Sequence, residues 1–217
     1  MKKLYLWFIA LLVVGTTVGF FVKFTFFRPA FIEKELFEQY KTFTLNLDWP
    51  VFNQKTIDND LNAFIHENVI KISQAPPRSP NDPRHYKNDL FLSYEKPVIS
   101  KHYISLAFYV STYTGGAHPN TIVVCKTYDR STGKLLHLAD FYSKAPDRLR
   151  GVLVDKLVKT LEYFDPVWVK DGVKANNLEN FVVDRNGLTF YFSPYEVTAY
   201  AYGVQKVKVS LAELAKL

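Results

Sequence analysis

Apolar and polar residues alternate most sharply over Ile104–Ser111, where Ile104, Leu106, Phe108 and Val110 interleave with Ser105, Ala107, Tyr109 and Ser111. A period of two puts successive side chains on opposite faces, so this run predicts a β-strand with one apolar face. Phe43–Pro50 alternates in the same way, and Phe91–Ile99 does so more weakly. Thr121–Tyr128 is apolar on both faces and reads as a central strand. Ile57, Leu61, Phe64, Ile65, Val69 and Ile72 instead recur at helical spacing and define one apolar face of an α-helix. Leu149, Val152, Leu153, Leu157 and Leu161 do the same within Pro146–Phe164, with Ser143 and Pro146 as start signals. Phe181–Asp184 and Leu188–Phe192 flank Asn186-Gly187, a hairpin signal because both turn positions tolerate positive φ. Val204–Ser210 reads as a last strand, the residues after Pro29 as a short connector, and Gln74–Asp89, with four prolines, as a loop. Strands outnumber helices and helices interrupt them. The expected fold is therefore α+β: one antiparallel sheet including residues 104–112, 121–128, 188–192 and 204–210, with two helices, near 56–72 and 147–163, packed on it.

The N terminus adds an address. Lys2 and Lys3 precede Leu4–Val22, a run without a charged residue. At helical rise it reaches about 28 Å, close to the thickness of a bilayer's hydrocarbon core. Two readings compete, a cleaved signal peptide and an uncleaved signal anchor. Thr17-Val18-Gly19 offers small residues for cleavage, but Phe20, Phe21, Phe24, Phe26 and Phe27 carry the apolar character past them, which favours the anchor. The expected organisation is a transmembrane helix within residues 1–28, an N-terminal companion segment at 29–98 and a second segment at 99–217. The membrane is then a partner through residues 4–22. The protein is expected to be single-pass in the cell membrane, with its C-terminal part extracytoplasmic.

Charge changes the picture little. The net charge is +6, but Lys2, Lys3, Lys23 and Arg28 all flank the apolar run, and without them 23 basic residues face 21 acidic ones. That is an ordinary solvated surface, so nucleic acid is not an expected partner. Cys125 is the sole cysteine, which excludes an internal disulfide. It sits in an apolar strand and reads as a small buried hydrophobe. The fold must then be held by its core, for which roughly 185 exported residues suffice.

Candidate chemistry concentrates in two segments. Gly115-Gly116-Ala117-His118-Pro119-Asn120 lies between two predicted strands, with Tyr113 just before it. Paired glycines permit backbone geometries closed to other residues. His118 either caps the turn, contacts a ligand or acts as a base. The second segment, Tyr195-Glu196 to Tyr200 and Tyr202, is rich in tyrosine, which offers rigid area with a polar tip. The candidate ligand-binding residues are Tyr113, Gly115, Gly116, His118, Asn120, Tyr195, Glu196 and Tyr200. His66-Glu67 lacks a second histidine four residues on, since Ile70 stands there, and no histidine pair has metal-ligand spacing. No nucleophile elbow, phosphate loop or dinucleotide motif occurs, so neither metal nor cofactor is expected and no catalytic residue is assigned. Asp140 reads as a helix cap.

The combination of Tyr113 and Gly115–Asn120 with Asp129, Thr132-Gly133-Lys134, Leu138, Asp140 and Phe141 resembles the RsiV-like domain of unknown function (family 3298). Leu188, Phe190, Phe192, Tyr195-Glu196, Tyr200, Gly203 and Val207-Lys208-Val209 continue the resemblance, which spans roughly residues 100–213. The segment before it, with Trp49-Pro50 and Asn62, looks like the companion half that precedes this domain. The family occurs in the extracellular part of the RsiV anti-sigma factor, a receptor for lysozyme, and in the non-catalytic part of the PdaC deacetylase. With Met1–Lys3 expected inside the membrane and no catalytic domain expected after Leu217, the resemblance implies the shared extracytoplasmic domain alone. The function expected on these grounds is a membrane-anchored binding module of the bacterial cell envelope. It would contact a cell-wall glycan or a wall-acting protein such as lysozyme. The alternative is a cell-wall hydrolase, with Asp140 or Glu196 as acid and His118 as base, or an accessory domain of a peptidoglycan-modifying system. A hydrolase needs those groups to converge on one substrate position.

Overall fold

The alternating run at Ile104–Ser111 becomes the central strand of the molecule. The computed structural model describes residues 29–76, 87–143, 145–161 and 165–217. The expected anchor at residues 4–22 and most of the proline-rich 74–89 loop lie outside these. Among the described residues no helix is long and apolar enough to cross a membrane. In chain order the strands are β1 (Ile32–Gln39), β2 (Phe43–Val51), β3 (Asn88–Tyr94), β4 (Val98–Ile99), β5 (Tyr103–Tyr113), β6 (Asn120–Asp129), β7 (Leu135–Leu136), β8 (Phe181–Asp184), β9 (Gly187–Phe192) and β10 (Gln205–Ser210). The helices are α1 (Lys55–Gln74), α2 (Leu138–Phe141), α3 (Pro146–Thr160), α4 (Pro166–Ala175) and α5 (Leu211–Leu214).

The strands form two sheets rather than the single antiparallel sheet expected. The first has the order β1-β2-β3-β5-β6-β7, with β4 continuing the β3 edge along β5. It is mixed: β2 and β3 run parallel because the whole of α1 connects them, whereas β3, β5 and β6 are antiparallel neighbours. The second is a three-stranded antiparallel sheet, β10-β9-β8, so residues 188–192 and 204–210 do not join 104–112 and 121–128. The sequence could not separate these cases. Strands β8 and β9 are apolar on both faces because both faces are covered, and such strands carry no mark of which sheet they belong to.

Four layers result. On one face of the first sheet, Ile57, Leu61, Ile65 and Ile72 of α1 pack against Leu45, Leu90, Leu106 and Phe108, all buried. Each such side chain removed from water contributes roughly 1.5–3 kcal/mol. The other face meets the second sheet through Ala107, Val123, Val182 and Tyr191. Phe181, Leu188, Phe190, Phe192 and Val207 then point away from that junction into a separate core closed by Leu149, Leu153 and Leu157 of α3 and Val169 and Val173 of α4. The two helices expected from periodicity are thus present, but on opposite outer faces.

Polar groups seal the junction between the sheets. The outer edge of β8 is satisfied by the first sheet: the Val183 amide donates to Ser105 Oγ at 3.1 Å, and Ser105 and Thr127 bond each other at 2.9 Å. The β6 edge is satisfied in return. The Cys125 amide donates to Asn180 Oδ1 at 3.0 Å and the Val123 amide to Ser193 Oγ at 3.1 Å. Nearby, the Glu95 carboxylate accepts from Tyr109, Tyr191 and Lys206, joining β5 to β9 and β10. Burial pushes the Glu95 carboxyl up, but those three donors outweigh it and hold the group below its ordinary value. Cys125 is half-buried here, and burial pushes its thiol well up, in keeping with the inert role expected.

A second polar anchor pins α1. Asp60 accepts from Lys126 Nζ at 2.8 Å and from the fully buried Tyr128 hydroxyl at 2.7 Å. The Asp129–Lys134 turn docks beside it. Asp129 Oδ1 takes the amides and hydroxyls of both Ser131 and Thr132, which holds its carboxyl at about 2. Gly133 sits at φ +75° where a Cβ would lie 2.8 Å from Thr56 Cβ at the start of α1. Burial pushes the Asp60 carboxyl up, but the Lys126 and Tyr128 bonds and the Lys126 charge bring it below its ordinary value. A depressed carboxylate contributes stability above its unfolded pKa and loses it as pH falls through the folded one. Asp60→Asn is therefore expected to unfold at lower urea concentration at pH 7, with a loss of unfolding free energy of about 1 kcal/mol or less because the partly exposed carboxylate is screened by solvent. The gap to wild type should close below about pH 4. A pH-independent gap would show that the charge of Asp60 plays no part.

Candidate functional site

Two loops emerge at the same end of the stacked sheets. The first joins β5 to β6. Gly115 and Gly116 hold φ values of +115° and +102°, as the glycine pair implied, and a Cβ at either would meet open space. Their requirement is thus backbone conformation rather than room. The Tyr113 hydroxyl donates to the Gly116 carbonyl at 2.8 Å and closes the loop on itself. The second loop follows β9. Ser193, whose hydroxyl holds the Val123 amide, also donates its own amide to Glu196 Oε2 at 2.7 Å. The Tyr195 amide donates to the Thr198 carbonyl at 3.0 Å. Tyr195 itself takes φ +71°, an uncommon conformation for a bulky residue, and its side chain is 52% exposed. Gly172 of α4 lies directly beneath, so close that a Cβ would collide with the Glu196 carbonyl oxygen.

The loops meet in three rings. His118 stacks on Tyr200 with centroids 3.6 Å apart and planes 14° from parallel. Tyr195 lies 6.2 Å from His118 and 5.7 Å from Tyr200. His118 Nδ1 is 2.9 Å from the Pro119 carbonyl, which can only accept, so this nitrogen carries the proton in the neutral ring. Nε2 is then the acceptor for the Tyr195 hydroxyl, 3.3 Å away. One nitrogen thus ties the ring to its own loop, and the other edge joins an aromatic cluster in which His118 and Tyr200 are half-buried and Tyr195 is exposed. Tyr202, 48% exposed, extends from the same segment.

The remaining candidates separate from this cluster. Asn120 is exposed on β6 and lines a different groove of about 280 Å³, between Thr112 and Thr114 and the Asn68–Lys71 end of α1. Glu196 is half-buried with its carboxylate turned to the Ser193 amide. Burial pushes the carboxyl up, and the Ser193 N–H partly offsets it. Asp140 caps α2, accepting the His137 amide at 2.8 Å. Neither carboxylate bonds His118: that of Glu196 faces the Ser193 amide and that of Asp140 the His137 amide. Among the described residues no three His, Cys, Asp or Glu side chains converge as a metal cluster would require. Sequence reading missed α4, and with it Gly172. Helix α4 begins Pro-Val-Trp-Val and contains a glycine, a composition poor in helix formers.

The molecule is thus a four-layer α+β domain in which two loops at one end of the sheets share an aromatic surface. Residues 143–212 match the family described as "Protein of unknown function (DUF3298)", and residues 37–121 match the one described as "Deacetylase PdaC". The two matches together are consistent with a DUF3298 domain as in PdaC. The Gly115–Asn120 block falls in the PdaC match and the Tyr195–Tyr200 segment in the DUF3298 match, so the aromatic surface draws on both. The chain is 25% identical over 175 residues to the peptidoglycan-N-acetylmuramic acid deacetylase PdaC of Bacillus subtilis, covering 78% of this chain and 38% of that protein. Two crystal structures share the fold. A DUF3298 family protein from Pseudomonas aeruginosa PAO1 superposes with TM-score 0.58 at 15% identity, covering 85% of this chain and 91% of the other. A DUF3298 family member from Bacteroides fragilis NCTC 9343 gives 0.57 at 18%, covering 86% and 92%.

The Gly172 contact gives a test of how the surface is held. Gly172→Ala is expected to lower unfolding free energy by about 1–3 kcal/mol, since the loop backbone must shift to admit a methyl group. Gly151→Ala, on α3 where a Cβ meets nothing within 4 Å, is expected to be neutral or slightly stabilising. Equal effects in chemical denaturation would remove the claim that α4 supports the Tyr195 loop.

Proposed function

We propose that this protein is a non-catalytic accessory module of the bacterial cell envelope, tethered by the apolar segment at residues 4–22, that binds cell-wall glycan at the His118–Tyr195–Tyr200 surface. The observation that carries the reading is the ring cluster itself. A sugar ring presents apolar C–H faces ringed by hydroxyls, and exposed aromatic rings with polar tips complement both parts. Tyr195 is held exposed in a backbone conformation that costs free energy, a pattern common where recognition requires it. Kinship with PdaC supports a ligand of wall chemistry, because PdaC is named for action on peptidoglycan. A wall-acting protein such as lysozyme is the second reading, supported by the protruding tyrosines Tyr195 and Tyr202, since tyrosine is enriched at protein interfaces.

Co-sedimentation of the detergent-solubilised full chain with purified peptidoglycan tests the proposal. Wild type is expected to sediment and to be released by soluble wall oligosaccharides. Tyr195→Ala with Tyr200→Ala is expected to weaken binding about tenfold or more at an unchanged melting temperature. Retained binding in that variant would overturn the assignment of the surface. Capture of lysozyme, with no binding to peptidoglycan, would transfer the surface to the second reading.

A further inference from the structure

A second concavity lies at the opposite end of the sheets. It has a volume of about 400 Å³ and opens between the Ser100–Tyr103 turn, the β8–β9 hairpin and α5. The His118 loop follows the far end of β5, ten residues from Tyr103 and about 34 Å away along the strand. The volume falls in the range of small-molecule sites.

Its chemistry is divided between floor and rim. Tyr103, Phe141, Val183, Leu188, Leu211 and Leu214 make the floor and walls apolar, and Leu211 stands 57% exposed at the mouth. The ring edges are fixed from behind, Tyr103 against Phe141 at 5.1 Å and Phe141 against Phe181 at 5.6 Å. The rim carries Lys101, His102 and Arg185. Lys101 and Arg185 have no hydrogen-bond or ion-pair partner among the described residues. Arg130 adds a further positive charge close by, donating to the Ser100 carbonyl at 2.8 Å. The one acid on the rim, Asp184, is already neutralised by Lys208. An apolar hollow under uncompensated cations complements a molecule with the reverse pattern. Few hydrogen-bonding groups face the interior, so a peptide would leave its amides unpaired there, which disfavours it. A hydrocarbon chain loses nothing in the same place.

We propose that this cleft is a second binding site, taking a single hydrocarbon chain that ends in an anionic head group, with the chain on the Phe141–Leu211 floor and the head group between Lys101 and Arg185. The assignment is independent of the glycan reading and uses none of its residues. Isothermal titration of the full chain in lipid nanodiscs tests it, with octanoate and decanoate below their micelle concentrations and empty nanodiscs as the blank. One carboxylate per chain is expected to bind saturably, and octylammonium is expected to bind about tenfold more weakly or worse. Lys101→Ala with Arg185→Ala should lower carboxylate affinity about tenfold while leaving the melting temperature unchanged. His118→Ala should leave it untouched. Absence of saturable binding tighter than about 1 mM, equal affinity for octylammonium, or an unchanged affinity in the double variant would each overturn the proposal. Tighter binding of N-acetyl-D-alanyl-D-alanine than of either fatty acid would replace it with a peptide-terminus site.

Discussion

The hydrogen bond from the Val123 amide to the Ser193 hydroxyl is the constraint on which the aromatic surface depends. Val123 lies three residues beyond Asn120, where the His118 loop enters β6, and Ser193 lies two residues before Tyr195. The bond therefore joins the roots of two loops that are 77 residues apart at the His118–Tyr195 contact. It also answers a local need. Strand β7 pairs only Thr127 and Tyr128, which leaves the rest of the β6 edge without a backbone neighbour. An unpaired, buried amide costs about 1–3 kcal/mol. Side chains of the second sheet supply the acceptors, and in doing so they fix where that sheet can sit.

The same logic runs through the whole junction. Ser105 and Thr127 are buried hydroxyls on β5 and β6, and they close the edge of β8. Two open sheet edges that would otherwise invite pairing with other chains are thereby used against each other. Apolar contacts at this junction are few, centred on Ala107, Val123, Val182 and Tyr191. The larger cores on the outer faces provide the stabilisation, while the polar bonds at the centre decide register. The Gly172 contact adds a third support from behind, so the exposed Tyr195 rests on a stack of buried elements rather than on its own loop.

Much of this was legible residue by residue. The period of two in β5 located the core face, and Phe108 is fully buried as that face requires. The helical spacing from Ile57 to Ile72 found α1, and Asn186-Gly187 found the β8–β9 hairpin, although its two loop residues are Arg185 and Asn186 and only Gly187, already paired with Asp184, takes positive φ. The glycine pair announced positive φ, and the histidine and tyrosine segments identified as candidates do meet. What failed had physical causes. Strand β1, with the sequence Ile-Glu-Lys-Glu-Leu-Phe-Glu-Gln, lies almost wholly exposed and so carries no buried face to read. The split into two sheets depends on Ser105, Thr127, Asn180 and Ser193, polar residues whose pairing is long-range and leaves no periodic trace. The cationic cleft assembles Lys101 and Arg185 from turns 84 residues apart, each unremarkable in its own segment.

The central claim is that these clasped loops form one surface with His118 stacked on Tyr200. Proton NMR of the His118 imidazole tests it most directly, because a ring 3.6 Å away shifts those resonances upfield. The His118 ring protons are expected upfield of those of an exposed histidine, and to return to ordinary positions in Tyr200→Ala. They should return there also in Ser193→Ala, with the rest of the spectrum remaining folded. Ordinary His118 shifts in the wild-type protein, or upfield shifts that survive Ser193→Ala unchanged, would contradict the account.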